Sequence, residues 1–552
     1  MKRTLLVMAT VVALPMSIAA QSAIDAYNLS QTDQRGTARF MAMGGAFTAL
    51  GGDLSTLNQN PAGIGIYRRS EIGATLDISP RSFETQTATH TNSMDKTKTY
   101  CNNFGYVGTV NLDGAMRTFS WGASYNRVAS FDRTYKSYNG ATGTSISNYI
   151  ASFTNGTSAD ILGFRDGPNP GDKYNPYYNY EDNPDWLSIL AYTTYAINPA
   201  AGNNRYQGLF GDNTYGDAFS RVQERGYIDE YAIDFGGNIS DVVYWGIGFG
   251  ITDLSYHSTV YYSESMANAN IINCKGNMVV GNAGIDLTNH RAITGSGWNI
   301  KAGVILKPIQ EFRLGFAVHT PTWYKMSQSA YAEMDYSFFD PNLPEGPILP
   351  EDPNLPEDCY NPFSGNEHTE HSYYDFRLYT PWKFMVGAAA VLGKYAIVSF
   401  DYEYQAFNDM SIKYQDGWGD FVTDEYVKQD IKDYFKATNI IRLGAELRLS
   451  SHLSARCGYN HSTSNVKDEA NNGDLYIYTA GMDPSYVFNK ESNAYSVGLG
   501  YRYQAFYFDA AYIYRKNTST WHAFTDFDGY RAPTAKLTET NNNVVLSLGF
   551  KF

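Results

Sequence analysis

Charged side chains that could pair or bind a ligand alternate with apolar residues in several segments, which places them on one face of the predicted strands. The set is Arg313, Asp401, Glu403, Arg442, Glu446, Arg448, Arg456, Arg502, Asp509, Arg515 and Lys551. Such a row favours a ladder of ion pairs that ties strands together, because an unpaired charge in a narrow interior is costly. The alternative is a carboxylate site, in which Arg442, Arg456 and Arg502 donate charge-assisted hydrogen bonds to a ligand.

Catalytic and metal-binding patterns are weak in this chain. No local signature joins a nucleophile, a base and an orienting group, so the sequence does not predict an enzyme. Gly246, Gly248 and Gly250 match half of a dinucleotide fingerprint, but they alternate with large apolar residues and open no helix. His368 and His371 could touch a metal or haem iron at the end of an outer loop, and a solvated pair is the simpler interpretation. We expect no cofactor.

The four cysteines are too few for a disulfide-built scaffold. Cys457 shares an apolar strand face with aliphatic and aromatic neighbours, where it would act as a small filler. Cys101, Cys274 and Cys359 fall in predicted loops or at their edges. One disulfide among these three cysteines can therefore form in an oxidising compartment.

Composition favours strands and argues against nucleic acid as a partner. The 552 residues carry 42 Lys+Arg and 56 Asp+Glu, a net charge of −14, which would repel a phosphate backbone. Tyrosine (46) and glycine (49) are abundant, and charged residues fall to 18%, below the roughly 25% of soluble domains.

The first twenty residues are predicted to form a signal peptide. A basic start at Lys2 and Arg3 precedes an apolar run that ends in small residues, with cleavage expected after Ala19 or Ala20. No later run approaches the 18 apolar residues of a membrane helix. The sequence thus leaves a secreted soluble protein or a membrane β-barrel.

The spacing of apolar residues favours a membrane β-barrel over a secreted soluble protein. Val544, Leu546, Leu548, Phe550 and Phe552 share one face of the final segment, which is typical of an outer-membrane closing strand. Similar alternation recurs in about fourteen segments, joined by alternating tight turns and long loops. We therefore predict an all-β fold, a transmembrane antiparallel β-barrel of about fourteen strands over residues 69–552. The longest loops are expected at 134–224 and 340–366, with short helices near 186–190 and 423–435.

Residues 21–68 lack strand alternation and are rich in glycine and small apolar residues. A segment of this length before a barrel is best placed inside the lumen as a plug, here called the hatch, where close backbone contact favours glycine. Its apolar side chains could line a ligand pocket or simply pack against the wall; they are Phe40, Met41, Met43, Phe47 and Leu50.

The chain resembles the FadL/TodX family of outer-membrane transporters for long-chain fatty acids and other hydrophobic compounds. The resemblance rests on the glycine-rich hatch, the motif Asn60, Pro61 and Ala62, the block 119–124 in the third predicted strand, and the terminal Phe552. It implies a monomeric barrel that passes hydrophobic molecules by diffusion, and assembly machinery that reads the terminal aromatic residue.

Two features depart from what the resemblance implies. In the family, the third strand is kinked inward and leaves a gap in the wall, yet no Gly or Pro occurs here from Ala123 to Asn139. The sequence therefore gives no support for a lateral exit at that strand. The outer loops are also long and polar, unlike the hydrophobic surface that would be expected to capture such a ligand.

The function expected from the sequence is a passive outer-membrane channel for hydrophobic small molecules such as long-chain fatty acids. Its partners would be the lipid bilayer, the hydrophobic ligand and the assembly machinery. Two alternatives stay open: a haem-binding uptake protein, and an adhesive or structural barrel that acts through its outer loops.

Overall fold

The computed structural model describes residues 21–166, 172–179, 181–200, 202–348, 359–393, 395–479 and 481–552. The signal peptide and its cleavage site, and the second DPNLPE repeat, lie outside the described residues. Among the described residues, no helix is long and apolar enough to cross a membrane.

Short helices make up the N-terminal segment that precedes the first strand. They are α1 (Ala23–Ser30), α2 (Ala38–Ala42), α3 (Thr56–Gln59) and the 3-10 helix η1 (Pro61–Ile66). Thr37 caps α2 by accepting a hydrogen bond from the Phe40 amide, and the Asn60 side chain caps η1 through the Ala62 amide. Glycines at the ends of these helices allow the reversals that keep the segment compact, as at Gly44 and Gly45 with φ of +63° and +78°.

Strands make up most of the remaining chain. The first part contains β1 (Glu71–Gln86), β2 (Thr91–Asn111), β3 (Met116–Ser130), β4 (Arg133–Asn139), α4 (Ile146–Thr154), η2 (Ala159–Ile161), β5 (Arg165–Asp166), β6 (Lys173–Tyr174), η3 (Pro176–Tyr178), α5 (Trp186–Thr193), β7 (Asn198–Pro199), β8 (Tyr206–Gln207), β9 (Tyr215–Ile239), β10 (Val243–Ile272) and β11 (Met278–Ile309). The second part contains β12 (Phe312–His319), β13 (Trp323–Phe339), β14 (Gly346–Pro347), β15 (Tyr360–Asn361), β16 (Phe363–His368), β17 (Ser372–Tyr379), β18 (Lys383–Leu392), β19 (Ala396–Gln405), η4 (Phe407–Asp409), β20 (Ser411–Gln415), β21 (Phe421–Thr423), α6 (Glu425–Tyr434), β22 (Thr438–Arg448), β23 (Leu453–Ser462), α7 (Asp468–Asn471), β24 (Tyr486–Tyr503), β25 (Phe506–His522) and β26 (Thr534–Lys551).

A closed antiparallel barrel forms when the last strand pairs with the first. Lys551 lies opposite Glu71 on β1, and Ser70 and Phe552 exchange two backbone hydrogen bonds of 3.0 Å. In the part of the chain that the structure describes, fourteen strands form the ring, in the order β1, β2, β3, β9, β10, β11, β12, β18, β19, β22, β23, β24, β25 and β26. The predicted fold class is confirmed.

The outer face of the wall is apolar and the inner face is polar. On β1, Ile72, Leu76 and Ile78 are exposed, whereas Asp77 and Ser79 are buried in the lumen. Exposed apolar residues recur in this way on the other strands and form a continuous belt, which does not face water. Alternation with a period of two residues is what a wall between lipid and a polar lumen requires. The chain is an outer-membrane β-barrel.

Three neighbouring strands extend far beyond the membrane. β9, β10 and β11 contain 25, 30 and 32 residues, whereas about 9–11 cross a bilayer. Helices α4 and α5 pack with their inner faces in one hydrophobic cluster that closes the outer end of the barrel. The predicted helices near 186–190 and 423–435 are α5 and α6. The predicted long loop is shorter than expected, because β4 and β9 occupy its two ends.

The sequence left it undecided whether any of these three cysteines are bridged, and the structure has a disulfide between Cys274 and Cys359. It joins the turn after β10 to the loop before β15. Cys101 and Cys457 are free and exposed on the outer face of the wall.

Candidate ligand cavity and wall opening

The hatch fills the inner half of the lumen and is held by glycines of the wall. A side-chain carbon on Gly246 would collide with the backbone of Pro61, and one on Gly315 with the backbone of Thr48. Close contacts with the hatch occur on seven strands, at Gly246, Gly303, Gly315, Gly387, Gly444, Gly458 and Gly498, a set we name the glycine collar; those at Gly303 and Gly498 are with the side chains of Asn60 and Ala42, and the others include hatch backbone. The alternation of glycine with large outward residues therefore reflects backbone contact between wall and hatch.

Hydrogen bonds and an ion pair fix the hatch to the barrel wall. Asp401 of β19 accepts hydrogen bonds from the Thr48 amide (2.8 Å) and hydroxyl (2.7 Å). The Asn60 side chain donates to the Thr48 carbonyl at 2.6 Å. Arg39 donates to Glu446 of β22 at 2.8 Å. The motif of Asn60, Pro61 and Ala62 thus shapes the hatch and its contact with the wall.

The hatch side chains named as ligand candidates pack against the barrel wall. Phe40, Met41, Met43, Phe47 and Leu50 are all buried, and they form one cluster with wall residues such as Ala389, Ala511 and Val545. Of the five, Phe40 also borders the luminal cavity described next. Whether this cluster admits ligand stays a prediction.

A cavity of about 130 Å³ lies between the hatch, including the end of α1, and the wall. Its apolar side is formed by Leu29, Phe40, Val128, Ile228, Tyr324 and Met385. Its polar side is formed by Glu230, Lys301, His319, Lys383, Glu403 and Arg442. The space is therefore amphipathic.

Two cations on the polar side have donor capacity left over. Arg442 donates to Glu403 at 2.5 Å through Nη2, while its buried Nε and Nη1 have no hydrogen-bond partner among the described residues. Lys383 donates to the Thr32 hydroxyl at 3.2 Å and forms no ion pair with a described residue. Lys301, in contrast, is paired with Glu230. An anionic group in the cavity could accept hydrogen bonds from Arg442 and Lys383.

The other two arginines named from the sequence lie elsewhere. Arg456 donates to Glu446 at 2.7 Å and to Asp509 at 2.5 Å, so it belongs to the network that includes Arg39. Arg502 is exposed close to the tight turn between β24 and β25. The structure brings Arg442 to the cavity and leaves Arg456 and Arg502 outside it.

An aromatic layer closes the cavity on its outer side. Tyr27 of α1 stacks on Phe435 with ring centroids 4.8 Å apart, and it contacts Phe407 and Phe488 at 6.2 and 6.3 Å. The same hydrophobic cluster includes side chains of α6 and of strands on all sides of the barrel. The described residues thus leave no wide axial path from the outer loops to the cavity.

The wall itself opens between β2 and β3. Their ladder ends at the pair Asn103 and Asn126, whereas β2 stays paired with β1 as far as Thr91. Beyond Asn126 the third strand pairs with β9 alone, through β4. Thr85 of β1, which points into the lumen, donates to the Lys136 carbonyl at 2.5 Å. β4 therefore packs against the β1–β2 hairpin, and in the described residues it forms no ladder with β2.

This opening arises without a glycine or proline in the third strand. The third strand is interrupted at Phe131 and Asp132. The backbone conformation that accommodates this interruption is on β9, where Gly226 has φ of +138° and its carbonyl accepts a hydrogen bond from the Phe131 amide at 3.0 Å. The third strand alone does not indicate a lateral exit, because the relevant glycine lies on the neighbouring strand.

Polar side chains occupy the opening. Tyr100 of β2 donates to Asp132 at 3.0 Å and accepts from Ser130 at 3.0 Å. Arg35 of the hatch lies over the Tyr100 ring at 4.7 Å and also borders the cavity. The hatch therefore connects the cavity to the residues that fill the opening.

The two histidines named from the sequence lie on the outer part of the wall. The His371 ring packs on Tyr331 at 4.5 Å, and His368 pairs with Glu333 in the ladder between β13 and β16. The described residues contain no cluster of three or more metal-ligating side chains.

Lys383 and Tyr100 were missed by the sequence analysis. Lys383 directly follows Pro381 and Trp382, and the proline in a strand pattern is the signal that could have drawn attention to it. Tyr100 stands in a polar segment without a distinctive pattern, and only the ladder geometry reveals its position.

Comparison with known proteins gives structural matches only. No family model and no curated protein matches this chain. A Pseudomonas aeruginosa FadL homologue is 12% identical, with a TM-score of 0.49 over 94% of this chain and 99% of that one. The P. putida toluene transporter TodX is 12% identical, with a TM-score of 0.46 over 94% and 99%. The Ralstonia pickettii toluene transporter TbuX is 12% identical, with a TM-score of 0.44 over 95% and 100%. The structures that the chain resembles are thus of the FadL/TodX type that its motifs indicated.

Proposed function

We propose that this protein passes small hydrophobic or amphipathic molecules, such as long-chain fatty acids, between the luminal cavity and the outer membrane through the opening between β2 and β3. The observation that carries the proposal is the end of the β2–β3 ladder at Asn103 and Asn126, near which Val128 of β3 and Arg35 of the hatch line the cavity. Passage is by diffusion.

The hatch favours a lateral route over an axial one. Seven wall glycines contact the hatch, five of them its backbone, and Asp401 and Glu446 bind it through hydrogen bonds. Displacing a closely packed segment from such a site would expose many buried groups at once. Opening the gap involves a smaller set of side-chain contacts, in which Tyr100, Lys96 and Lys98 exchange their contacts with Asp132.

The cavity suits a molecule with a polar end. Arg442 and Lys383 offer donors to an anionic head, while Leu29, Val128 and Ile228 offer an apolar surface. An acid should therefore be preferred over its neutral ester.

A disulfide across the last rung of the ladder tests the route. Asn103 and Asn126 face each other in the lumen, and their side chains are joined by a hydrogen bond of 2.6 Å. We expect oxidised Asn103→Cys/Asn126→Cys, in a background with Cys101→Ser and Cys457→Ser, to slow uptake of radiolabelled oleate into cells at least tenfold, with recovery on reduction.

The matched control is Asn460→Cys/Ala494→Cys, a buried inward pair on the intact ladder between β23 and β24. It should leave uptake unchanged when oxidised. Equal uptake by both oxidised variants would refute the β2–β3 route, and no oleate uptake by the parent protein would refute the proposed function.

A further inference from the structure

The cavity is too small for a long chain, which raises the question of where the rest of an amphiphile lies. Its volume is about 130 Å³, and an apolar protein cavity of roughly 150 Å³ accommodates benzene. If the proposed function holds, a long-chain molecule with its head at Arg442 and Lys383 must therefore extend its tail through the wall.

The wall has a second weak point beside Lys383. Pro321 separates β12 from β13, and Pro381 separates β17 from β18. The flanking pairs, His319 with Lys383 and Trp323 with Tyr379, place the two prolines opposite each other. Neither proline has an amide hydrogen, so this rung of the ladder lacks both of its possible donors.

The strands are held here mainly by threonines. The Thr322 amide donates to the Thr380 hydroxyl at 2.8 Å, and the Thr380 amide donates to the Thr322 carbonyl at a long 3.3 Å. The next strand is also interrupted, since η4 separates β19 from β20. Three adjacent strands thus break at one level, and we name residues 320–322 and 380–382 the proline rung.

The proline rung separates the cavity from lipid by little more than one layer of residues. Thr320, Thr322, Thr380 and Pro381 line the cavity. On the outer face, Trp382 is 38% exposed and Phe384 is 47% exposed in the apolar belt. The inside of the rung is therefore next to the cationic end of the cavity, and its outside is next to acyl chains.

We propose that the proline rung is a second lateral opening, which admits the tail of a single-chain anionic amphiphile from the outer leaflet while its head binds at Lys383 and Arg442. Strands β3 and β9–β12 separate the rung from the opening between β2 and β3. The rung lines the cavity directly, and Arg35 connects the cavity to Tyr100 at the β2–β3 gap; in this proposal the rung is the entrance and the gap is the exit.

Locking the rung tests this proposal. Thr322→Cys/Thr380→Cys, in the background with Cys101→Ser and Cys457→Ser, places two cysteines opposite each other at a spacing that antiparallel strands allow a disulfide to bridge. We expect the oxidised variant to take up radiolabelled oleate at least tenfold more slowly than the reduced one. Asn460→Cys/Ala494→Cys is the matched control, because reductant also opens the bridge between Cys274 and Cys359 in every variant.

The outcomes separate this inference from the proposed function. Normal uptake by the reduced variant shows that it is folded. Loss of uptake with the rung locked supports the entrance. Full uptake with the rung locked, together with loss when Asn103 and Asn126 are locked, overturns the second opening and leaves the proposed function standing. If the rung variant does not assemble, Pro321→Ala/Pro381→Ala restores the missing donors, and unchanged uptake by that variant also counts against the proposal.

Discussion

Removal of Arg456 is expected to destabilise the barrel without affecting ligand selectivity. The Arg456 side chain is 2% exposed and donates to Glu446 and Asp509. Arg456→Ala leaves Asp509 buried without its cation, whereas Glu446 keeps Arg39 at 2.8 Å. Breaking a buried pair by removing one partner costs about 3–5 kcal/mol, which corresponds to roughly 10²- to 10⁴-fold in the folding equilibrium at about 1.4 kcal/mol per factor of ten.

The matched control is Arg502→Ala on the exposed end of β24. Because no ion pair holds Arg502 among the described residues, this change should alter the free energy of unfolding by no more than about 0.5 kcal/mol. Urea unfolding in lipid vesicles, followed by tryptophan fluorescence, measures both values. A second variant, Arg456→Met/Asp509→Asn, should recover part of the loss, because it leaves no unpaired charge.

Equal midpoints for Arg456→Ala and Arg502→Ala would refute the reasoning, since the network would then contribute nothing to folding. The ligand-binding interpretation of these arginines makes the opposite claim. Arg456→Ala would unfold like the parent protein but lose uptake of oleate while sparing its methyl ester. We expect that selective loss for Arg442→Ala, whose Nε and Nη1 are unpaired at the cavity.

Three other predictions concern the closing strand, the hatch and an outer helix. Deleting Phe552 removes two backbone hydrogen bonds to Ser70, and we expect less folded protein in the outer membrane on heat-modifiability gels; a normal amount would contradict its role in closure. Gly444→Val puts a side-chain carbon 2.5 Å from the Met43 carbonyl oxygen of the hatch, and the control Gly284→Val puts one 3.8 Å from its nearest neighbour. Single-channel conductance should rise several-fold for Gly444→Val and stay unchanged for Gly284→Val; equal conductance of the two variants would show that the collar does not hold the hatch. In α6, burial and nearby carboxylates raise the pKa of Asp430 to about 6, so its contribution to stability is present at low pH and is lost as pH rises through about 6; Asp430→Asn should protect α6 from proteolysis near pH 7.5 but not near pH 4, and protection independent of pH would contradict this.

The barrel was predictable because its wall repeats one local rule. Val544, Leu546 and Leu548 must face lipid and Val545 and Ser547 the lumen, and a period of two residues in the sequence records this directly. The glycines of residues 21–68 predicted close backbone contact, and Gly44 shows it, since a side-chain carbon there would lie 2.7 Å from the Tyr459 carbonyl oxygen. Terminal pairing through Phe552 follows from closure of the ring.

The sequence by itself therefore determined the fold class and the polarity of the lumen, because both depend on neighbours within a few positions along the chain. Only the tertiary structure decided which charges pair, where the wall opens and what the cavity contains. Arg456 meets Asp509, Tyr100 meets Asp132, Gly226 frees Phe131, and Pro321 faces Pro381 across two strands. These contacts join residues whose register is fixed by long-range strand pairing and by the lengths of the turns between strands, and no local pattern specifies that register.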